Sequence, residues 1–324
     1  MNKYILVTGG AGYIGSHISY LLNDKGYKVI ILDNLSTGFK KLIDKRSIFI
    51  NADINNKKQL NKIFNKYCIY AIYHFAACVS VPESQKKISK YFNTNVLGTK
   101  NLLENVIRKK IQFFIFSSTC SVYGTPKKNI VLEKDPKLPE SNYGITKLLA
   151  EQLIINYINK YKLKYSILRY FNVIGSDYKL RTGQLYSGPL LKNIVQNIIN
   201  KNYKISVHGN DYSTRDGTCI RDYIDINDLS NIHYLALKKL EKSKSFIINC
   251  GYNQGYTVLE IIKYFEKIIK KKINISYKKR RPGDVEQIFS DNSNLKKIFP
   301  NWKRRFSIRQ SIINLLKWEK KNKN

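Results

Sequence analysis

The run Lys3-Tyr-Ile-Leu-Val-Thr8 followed directly by Gly9-Gly-Ala-Gly12-Tyr13-Ile14-Gly15 constrains the fold more than any other stretch of this 324-residue chain. A short apolar strand meets glycines with no intervening loop, and Ser16 to Lys25 then reads as a helix. Glycines at such a junction allow a sharp strand-to-helix turn. They also let backbone amides approach a pyrophosphate, whose charge a helix N-terminus favours. A second strand, Tyr27 to Leu32, ends in Asp33, 18 residues after Gly15. A carboxylate there can accept hydrogen bonds from adenosine ribose hydroxyls and repels a 2′-phosphate, which selects NAD over NADP.

The same rhythm continues. Ser47 to Ile54 reads as a third strand, with Asp53 placed to reach an adenine amino group, and Ala71 to Ala77 as a fourth. The fourth ends in Phe75, Ala76 and Ala77, two of them small enough for a cofactor backbone to pass closely, while His74 reads as a packed strand residue. Asn95 begins a helical stretch to Lys110, and Gln112 to Phe116 is the fifth strand. Strand-helix alternation of this kind predicts an α/β fold, a Rossmann-type doubly wound parallel sheet that binds ligands at its strands' carboxyl ends.

Tyr143 and Lys147 lie one helical turn apart, 24 residues after the hydroxyl run Ser117-Ser118-Thr119 that ends the fifth strand. Positions i and i+4 share a helix face, so an ammonium at 147 can favour a phenolate at 143. A free phenol, with a pKa near ~10, is a poor base at neutral pH and needs such help. The spacing recurs at Tyr123/Lys127 and Tyr234/Lys238. Gly124 and Pro126 break the first of these, and the second falls outside the early strand-helix series.

Taken with Asp33-Asn34, Asp53-Ile54, His-Phe-Ala-Ala, Ser-Ser-Thr and Tyr170-Phe171-Asn172, these motifs resemble the extended short-chain dehydrogenase/reductase family. Gly209 to Tyr223, which contains Arg221, and Arg280-Arg281-Pro-Gly-Asp284 resemble its UDP-glucose 4-epimerase branch. The resemblance covers about residues 3 to 300 and implies an NAD-dependent nucleotide-sugar 4-epimerase, an isomerase that passes through a 4-keto sugar. It makes Tyr143 the base, Lys147 its electrostatic partner and ribose ligand, and Thr119 the hydroxyl on the sugar 4-oxygen. It assigns the cofactor to the glycine loop with Tyr13 and Ile14, to Asp33, Asn34, Asp53, Ile54, Phe75, Ala76, Ala77, Asn95 and Tyr170, and to the three catalytic side chains. The UDP group falls to Asn172, Arg221, Arg281 and Asp284, with Leu190 beside the diphosphate. Arginine forks suit a diphosphate, and a carboxylate suits a ribose hydroxyl. Ile288 is implied to flank the sugar's C2 side, where its size between Tyr and Cys keeps UDP-N-acetylglucosamine as an alternative, lesser substrate, and it reads equally as a core residue of the strand Val285 to Ser290. Thr119 stands where many members have Ser, Val79 where some have Lys, and Lys192 where Pro is common. The resemblance further implies a homodimer paired through helices near residues 93–110 and 142–160.

Rival readings are weaker. Dehydratases of the superfamily carry an Asp-Glu pair after the hydroxyl residue, and here that pair is Cys120-Ser121, which cannot supply acid and base. Intact Thr119, Tyr143 and Lys147 argue against a regulator that lost catalysis. The formal charge of +34 first suggests nucleic acid. Its lysines are spread along the chain with abundant Asn, Ile and Tyr, so the excess reads as a compositional bias with no specific nucleic-acid partner. The five cysteines show no metal spacing and fit a cytoplasmic protein, and no N-terminal apolar segment predicts a membrane anchor. The expected domains are residues 1–172 with a return segment at about 222–251, for NAD, and a smaller C-terminal α/β domain, 173–221 and 252–324, for the nucleotide sugar. The Lys/Asn-rich residues after Trp318 are expected to fray.

Overall fold

The computed structural model describes residues 3–186, 190–281 and 284–323. The chain begins with β1 (Tyr4–Thr8), α1 (Tyr13–Asp24), β2 (Lys28–Asp33), β3 (Ile48–Asn51), α2 (Lys57–Lys66), β4 (Ile69–His74), α3 (Val81–Lys86), α4 (Ile88–Tyr91), α5 (Gly98–Arg108) and β5 (Phe113–Thr119). A short β6 (Ile130–Val131) precedes α6 (Asn142–Lys160), β7 (Lys164–Tyr170), β8 (Asn172–Ile174), α7 (Leu190–Ile199), β9 (Lys204–His208) and β10 (Ile220–Asp225). Then come α8 (Ile226–Lys242), β11 (Phe246–Cys250), β12 (Gly255–Thr257), α9 (Val258–Ile269), β13 (Asn274–Lys278), β14 (Gln287–Ser290), α10 (Ser293–Ile298) and α11 (Ile308–Lys323).

Two compact units result. The first comprises Met1–Gly124, Pro136–Tyr170 and Ser230–Ile248. Its sheet runs β3-β2-β1-β4-β5-β7-β11, and the pairs from β3 to β7 are parallel. Ile5, Leu6, Val7, Ile30, Ile31, Ile72, Ile115 and Ile167 are all buried, the continuous apolar strand pattern required when helices cover both faces. The strand order reverses between β1 and β4, so the turns leaving those strands flank the switch-point crevice. The sheet is the doubly wound one expected from the sequence.

Local details differ from expectation. Helix α1 starts at Tyr13, because Gly12 already serves as its N-cap. The helix expected from Asn95 is instead preceded by α4 and a π-helical stretch, Phe92–Leu97, before α5 begins at Gly98. Helix α6 is capped by Ser141, whose side chain accepts from the Gly144 amide at 3.1 Å. A Cβ at Gly144 would lie 2.5 Å from the Ser121 carbonyl oxygen, so glycine is what lets this helix start hard against the segment following β5.

The second unit comprises Thr125–Asp135, Phe171–Leu229 and Asn249–Asn324. Its division differs from the expected one for a hydrogen-bonding reason: β10 pairs with β8, β12 and β14, and β6 pairs with β14. Residues 222–229 and 125–135 therefore belong here, and the segment returning to the first unit is Ser230–Ile248. A separate parallel pair joins β9 to β13. Ile194, Val195, Val207, Ile261, Phe265, Ile312 and Leu315 form the core between α7, α9, α11 and β9. The C-terminus does not fray as expected after Trp318: α11 continues to Lys323, and Glu319, 8% exposed, pairs with the buried ammonium of Lys192 on α7. The contact ties the last turns of α11 to α7, beside the buried Trp318.

Candidate active site

In the first unit the glycine loop leaves β1, and Tyr13, Ile14 and Gly15 form the first turn of α1. Asp33, 7% exposed, ends β2 with both oxygens committed: Oδ2 accepts from the Ala11 amide at 2.9 Å and Oδ1 from the Leu35 amide at 2.8 Å. Burial raises its pKa, and these two donors oppose the rise. Asn34 donates to Asp53 Oδ2 at 2.8 Å, so the two residues read separately from sequence meet at the strand ends. Ile54 is a core residue, 3% exposed. Asp33→Asn should weaken NAD binding and narrow the NAD-to-NADP preference, since the amide repels no phosphate and leaves one of the two backbone donors unpaired, at about 1–3 kcal/mol. Dissociation constants for both nucleotides check it, and a wild-type protein indifferent to the 2′-phosphate would refute it.

His74 is a packed strand residue, as read from sequence, but it is also the centre of an ordered chain of hydrogen bonds. Thr99 gives its one hydroxyl proton to the Asn95 carbonyl at 2.7 Å, so at 2.8 Å it must accept from His74 Nε2. That leaves Nδ1 to accept from Thr8 at 2.7 Å, and Thr8 in turn accepts from the Ala76 amide at 3.4 Å. Burial, with the nearby Lys147 charge second, pushes the His74 pKa down to about 3, which keeps the ring neutral. Phe75 bonds through its amide to the Thr8 carbonyl at 3.0 Å, and Ala77 follows in the same turn. The Asn95 side chain accepts from the Cys78 amide at 2.8 Å and donates to Thr146 Oγ1 at 3.0 Å. Thr146 then donates to the Tyr143 carbonyl at 2.9 Å. The π-helical stretch thereby ties the ends of β1 and β4 to the start of α6. Thr8, Thr99 and Thr146 carry no sequence signal for this role.

Thr119 ends β5, 8% exposed, and its hydroxyl accepts from the Ser121 amide at 3.1 Å. Tyr143 is half-buried in α6, and burial pushes its hydroxyl up to about 12 while a hydrogen bond with Thr119 acts the other way. Lys147 is 3% exposed, with its ammonium 4.1 Å from the centre of the Phe116 ring. Burial lowers its pKa to about 7, and the Glu151 carboxylate opposes that shift. The geometry brings Thr119 to Tyr143, while Lys147 sits against β5. In the protein alone, burial moves both groups away from base catalysis, which makes any added positive charge at the site consequential. Tyr170, 6% exposed, ends β7 and bonds to His233.

The substrate candidates lie in the second unit. Asn172 opens β8 opposite Tyr223, and Leu190 is the first residue of α7. Arg221 donates to Asp284 at 3.1 Å, and Arg280 donates to Asp211 at 2.8 Å with its guanidinium 4.0 Å from the Tyr212 ring centre. These contacts join the two long motifs, 209–223 and 280–284. Pro282 and Gly283 lie outside the described residues, as do Gly188 and Pro189. Asp222 faces inward and accepts from the amides of Tyr252, Asn253 and Ser290 and from the Ser290 hydroxyl, which pins the strand that carries Arg221. Arg281 is exposed and its carbonyl accepts from the Asp284 amide at 3.1 Å. Ile288 sits opposite Arg221 in β14 and is 3% exposed, a buried strand position.

Comparison with known proteins points the same way. The sequence profile of the NAD dependent epimerase/dehydratase family matches residues 5–251. A UDP-glucose 4-epimerase of Azospirillum brasilense is 37% identical over 287 residues, covering 88% of this chain and 82% of that protein. A probable UDP-arabinose 4-epimerase of Arabidopsis thaliana is 36% identical over 336 residues, covering 98% of this chain and 81% of its own length. The crystal structure of a UDP-glucose 4-epimerase from Stenotrophomonas maltophila, with bound NAD and formylated UDP-arabinopyranose, superposes with a TM-score of 0.93 at 33% identity, covering 99% of this chain and 98% of that one.

Proposed function

The chain belongs to the NAD dependent epimerase/dehydratase family, and from that premise we propose that it is a UDP-glucose 4-epimerase, interconverting UDP-galactose and UDP-glucose. The observation that carries the reading is the Thr119–Tyr143 hydroxyl pair at the carboxyl end of β5, with buried Lys147 one turn along α6. The glycine loop, Asp33, the Asn34–Asp53 pair and the β4 turn are the residues that would hold NAD. Their fit to a dinucleotide rests on the close glycine turn at the switch point and the buried carboxylate 18 residues beyond it. Bound NAD⁺ would supply reversible oxidation of the sugar C4 and a positive charge that brings the Tyr143 phenol back toward working range. Tyr143 removes the proton of the 4-hydroxyl through its phenolic oxygen and returns one after the keto sugar has turned its other face. Thr119 holds the 4-oxygen in line. Arg221 and Arg281 grip the diphosphate, Arg221 exchanging its bond to Asp284 for phosphate oxygen, and Asp284 is freed for a ribose hydroxyl.

Incubating the purified protein with UDP-galactose and no added nucleotide, then separating the sugar nucleotides, tests this. UDP-glucose should form with no net NADH. Stoichiometric NADH with an oxidised sugar would overturn the reading. UDP-arabinose and UDP-N-acetylglucosamine belong in the same assay, since a relative is named for the first and Ile288, smaller than Tyr, is expected to allow measurable but lower activity on the second.

The reading includes a homodimer. Phe92 and Leu97 on the π-helical stretch, with Ile145 and Leu149 on α6, are each 39–41% exposed, an apolar surface that a partner helix pair would cover. Light scattering should give twice the mass of 37.8 kDa, and Leu149→Lys with Phe92→Glu should give the monomer. A wild-type monomer at micromolar concentration would refute it. The five free cysteines favour the reducing cytoplasm as its compartment.

A further inference from the structure

Behind Lys147 lies a buried ionic cluster that the reaction as described does not use. Glu151, one turn further along α6, is 0% exposed, and Arg169 on β7 is 2% exposed. Arg169 grips the carboxylate with two bonds, Nε to Oε1 at 3.0 Å and a terminal nitrogen to Oε2 at 2.7 Å. Ser118 on β5 also donates to Oε1, and the other guanidinium nitrogen donates to the Tyr123 hydroxyl at 2.9 Å. Ser118 and Arg169 are register partners in the sheet, so three elements converge on one carboxylate. A buried pair of this kind commonly adds little stability over an apolar replacement, because desolvation offsets the attraction. Its persistence here asks for another use.

The pair has a direction. Glu151 is on the Lys147 face of α6, and Arg169 approaches it from β7. Both carboxylate oxygens are held by Arg169, yet Glu151 is the charged group that acts on the Lys147 ammonium, whose other near neighbours are the Phe116 ring on β5 and the neutral ring of His74 on β4. We propose that Glu151, clamped by Arg169 and Ser118, is a positioning residue that keeps Lys147 cationic in a site otherwise too dry to hold a charge, and holds its helix in register with Thr119. The proposal rests on the reading of Tyr143 and Lys147 as the reacting pair. With the carboxylate in place burial still brings Lys147 down to about 7, so its loss would lower the ammonium further and leave it largely neutral at working pH.

The test uses Glu151→Gln, Arg169→Gln and the double variant in the NAD-loaded protein. Two readouts are followed: the pH profile of kcat/KM for UDP-galactose, and the titration of the Lys147 Cε resonance in ¹³C-lysine-labelled protein, assigned by its loss in Lys147→Arg. A cationic lysine is required, so activity falls as pH rises through its pKa. Removing a neighbouring negative charge lowers that pKa, and Glu151→Gln should move the alkaline limb and the resonance down by about one pH unit. Arg169→Gln leaves the carboxylate unbalanced and should move both upward. Opposite shifts support the proposal. A fall in rate with both profiles unmoved, or shifts of the same sign, would overturn it as a structural effect. If the single variants do not fold, the charge-free double variant, which has no unpaired buried ion, decides: a lysine titration identical to wild type overturns the proposal, and a downward shift supports it. The resonance is read without turnover, so a wild-type protein that fails to convert UDP-galactose would sink the functional reading separately.

Discussion

Tyr143→Phe is expected to lower turnover by ~10²–10⁴, the usual contribution of a positioned proton-transfer group, while leaving the fold and bound NAD in place. The change removes one oxygen. The ring remains on α6, and Ser141 still caps that helix. Its backbone carbonyl continues to accept from Thr146, so the chain of bonds through Asn95 and His74 persists. Thr119 keeps its bonds to Ser121, so the lost contact with Tyr143 costs little beside the chemistry. Initial rates with UDP-galactose, together with the absorbance of bound nucleotide, separate the two effects. A variant that keeps more than half of wild-type turnover would show that another group takes the proton.

Gly15→Ala should remove the cofactor. A Cβ at this position would lie 2.3 Å from the Gly9 carbonyl oxygen and 2.9 Å from the Gly10 Cα. Both obstacles are backbone, so no side-chain rotation relieves them and the loop between β1 and α1 must open. Overpacking of this sort costs roughly 1–3 kcal/mol, on the order of a tenfold to hundredfold loss of NAD affinity if the strain falls on the loop. Gly12→Ala is the graded control, because its nearest obstacle, the same Gly9 oxygen, is 3.2 Å away. The purified variants should retain NAD in the order wild type, Gly12→Ala, Gly15→Ala. Equal retention by all three would mean that the pyrophosphate does not depend on this turn.

The candidate residues that sequence makes legible lie at the ends of regular elements whose patterns are short-range. The glycine loop, Asp33, Asp53, Thr119 and the Tyr143/Lys147 spacing each sit where a strand stops or a helix turns, and periodicity locates such points. The missed residues are of another kind. Glu151 had a readable signal, the i+4 step from Lys147, yet its partner Arg169 is 18 residues away on a strand and shows none. Thr8, Thr99 and Thr146 are ordinary polar residues until β1, α5 and α6 are packed together. Lys192 and Glu319, separated by 127 positions, turned an expected frayed tail into an anchored helix. The return segment begins only at Ser230 for a similar reason, since β10 is claimed by strands distant in sequence.

Sequence by itself determined the doubly wound sheet, the glycine turn after β1 and the Tyr143/Lys147 spacing, because each depends on residues within a few positions of one another. Tertiary structure alone decided the charge state those side chains start from. Burial raises the Tyr143 phenol, lowers the Lys147 ammonium and holds His74 neutral. Desolvation and opposing charges arise from what packs around a group in space, and no spacing along the chain records them.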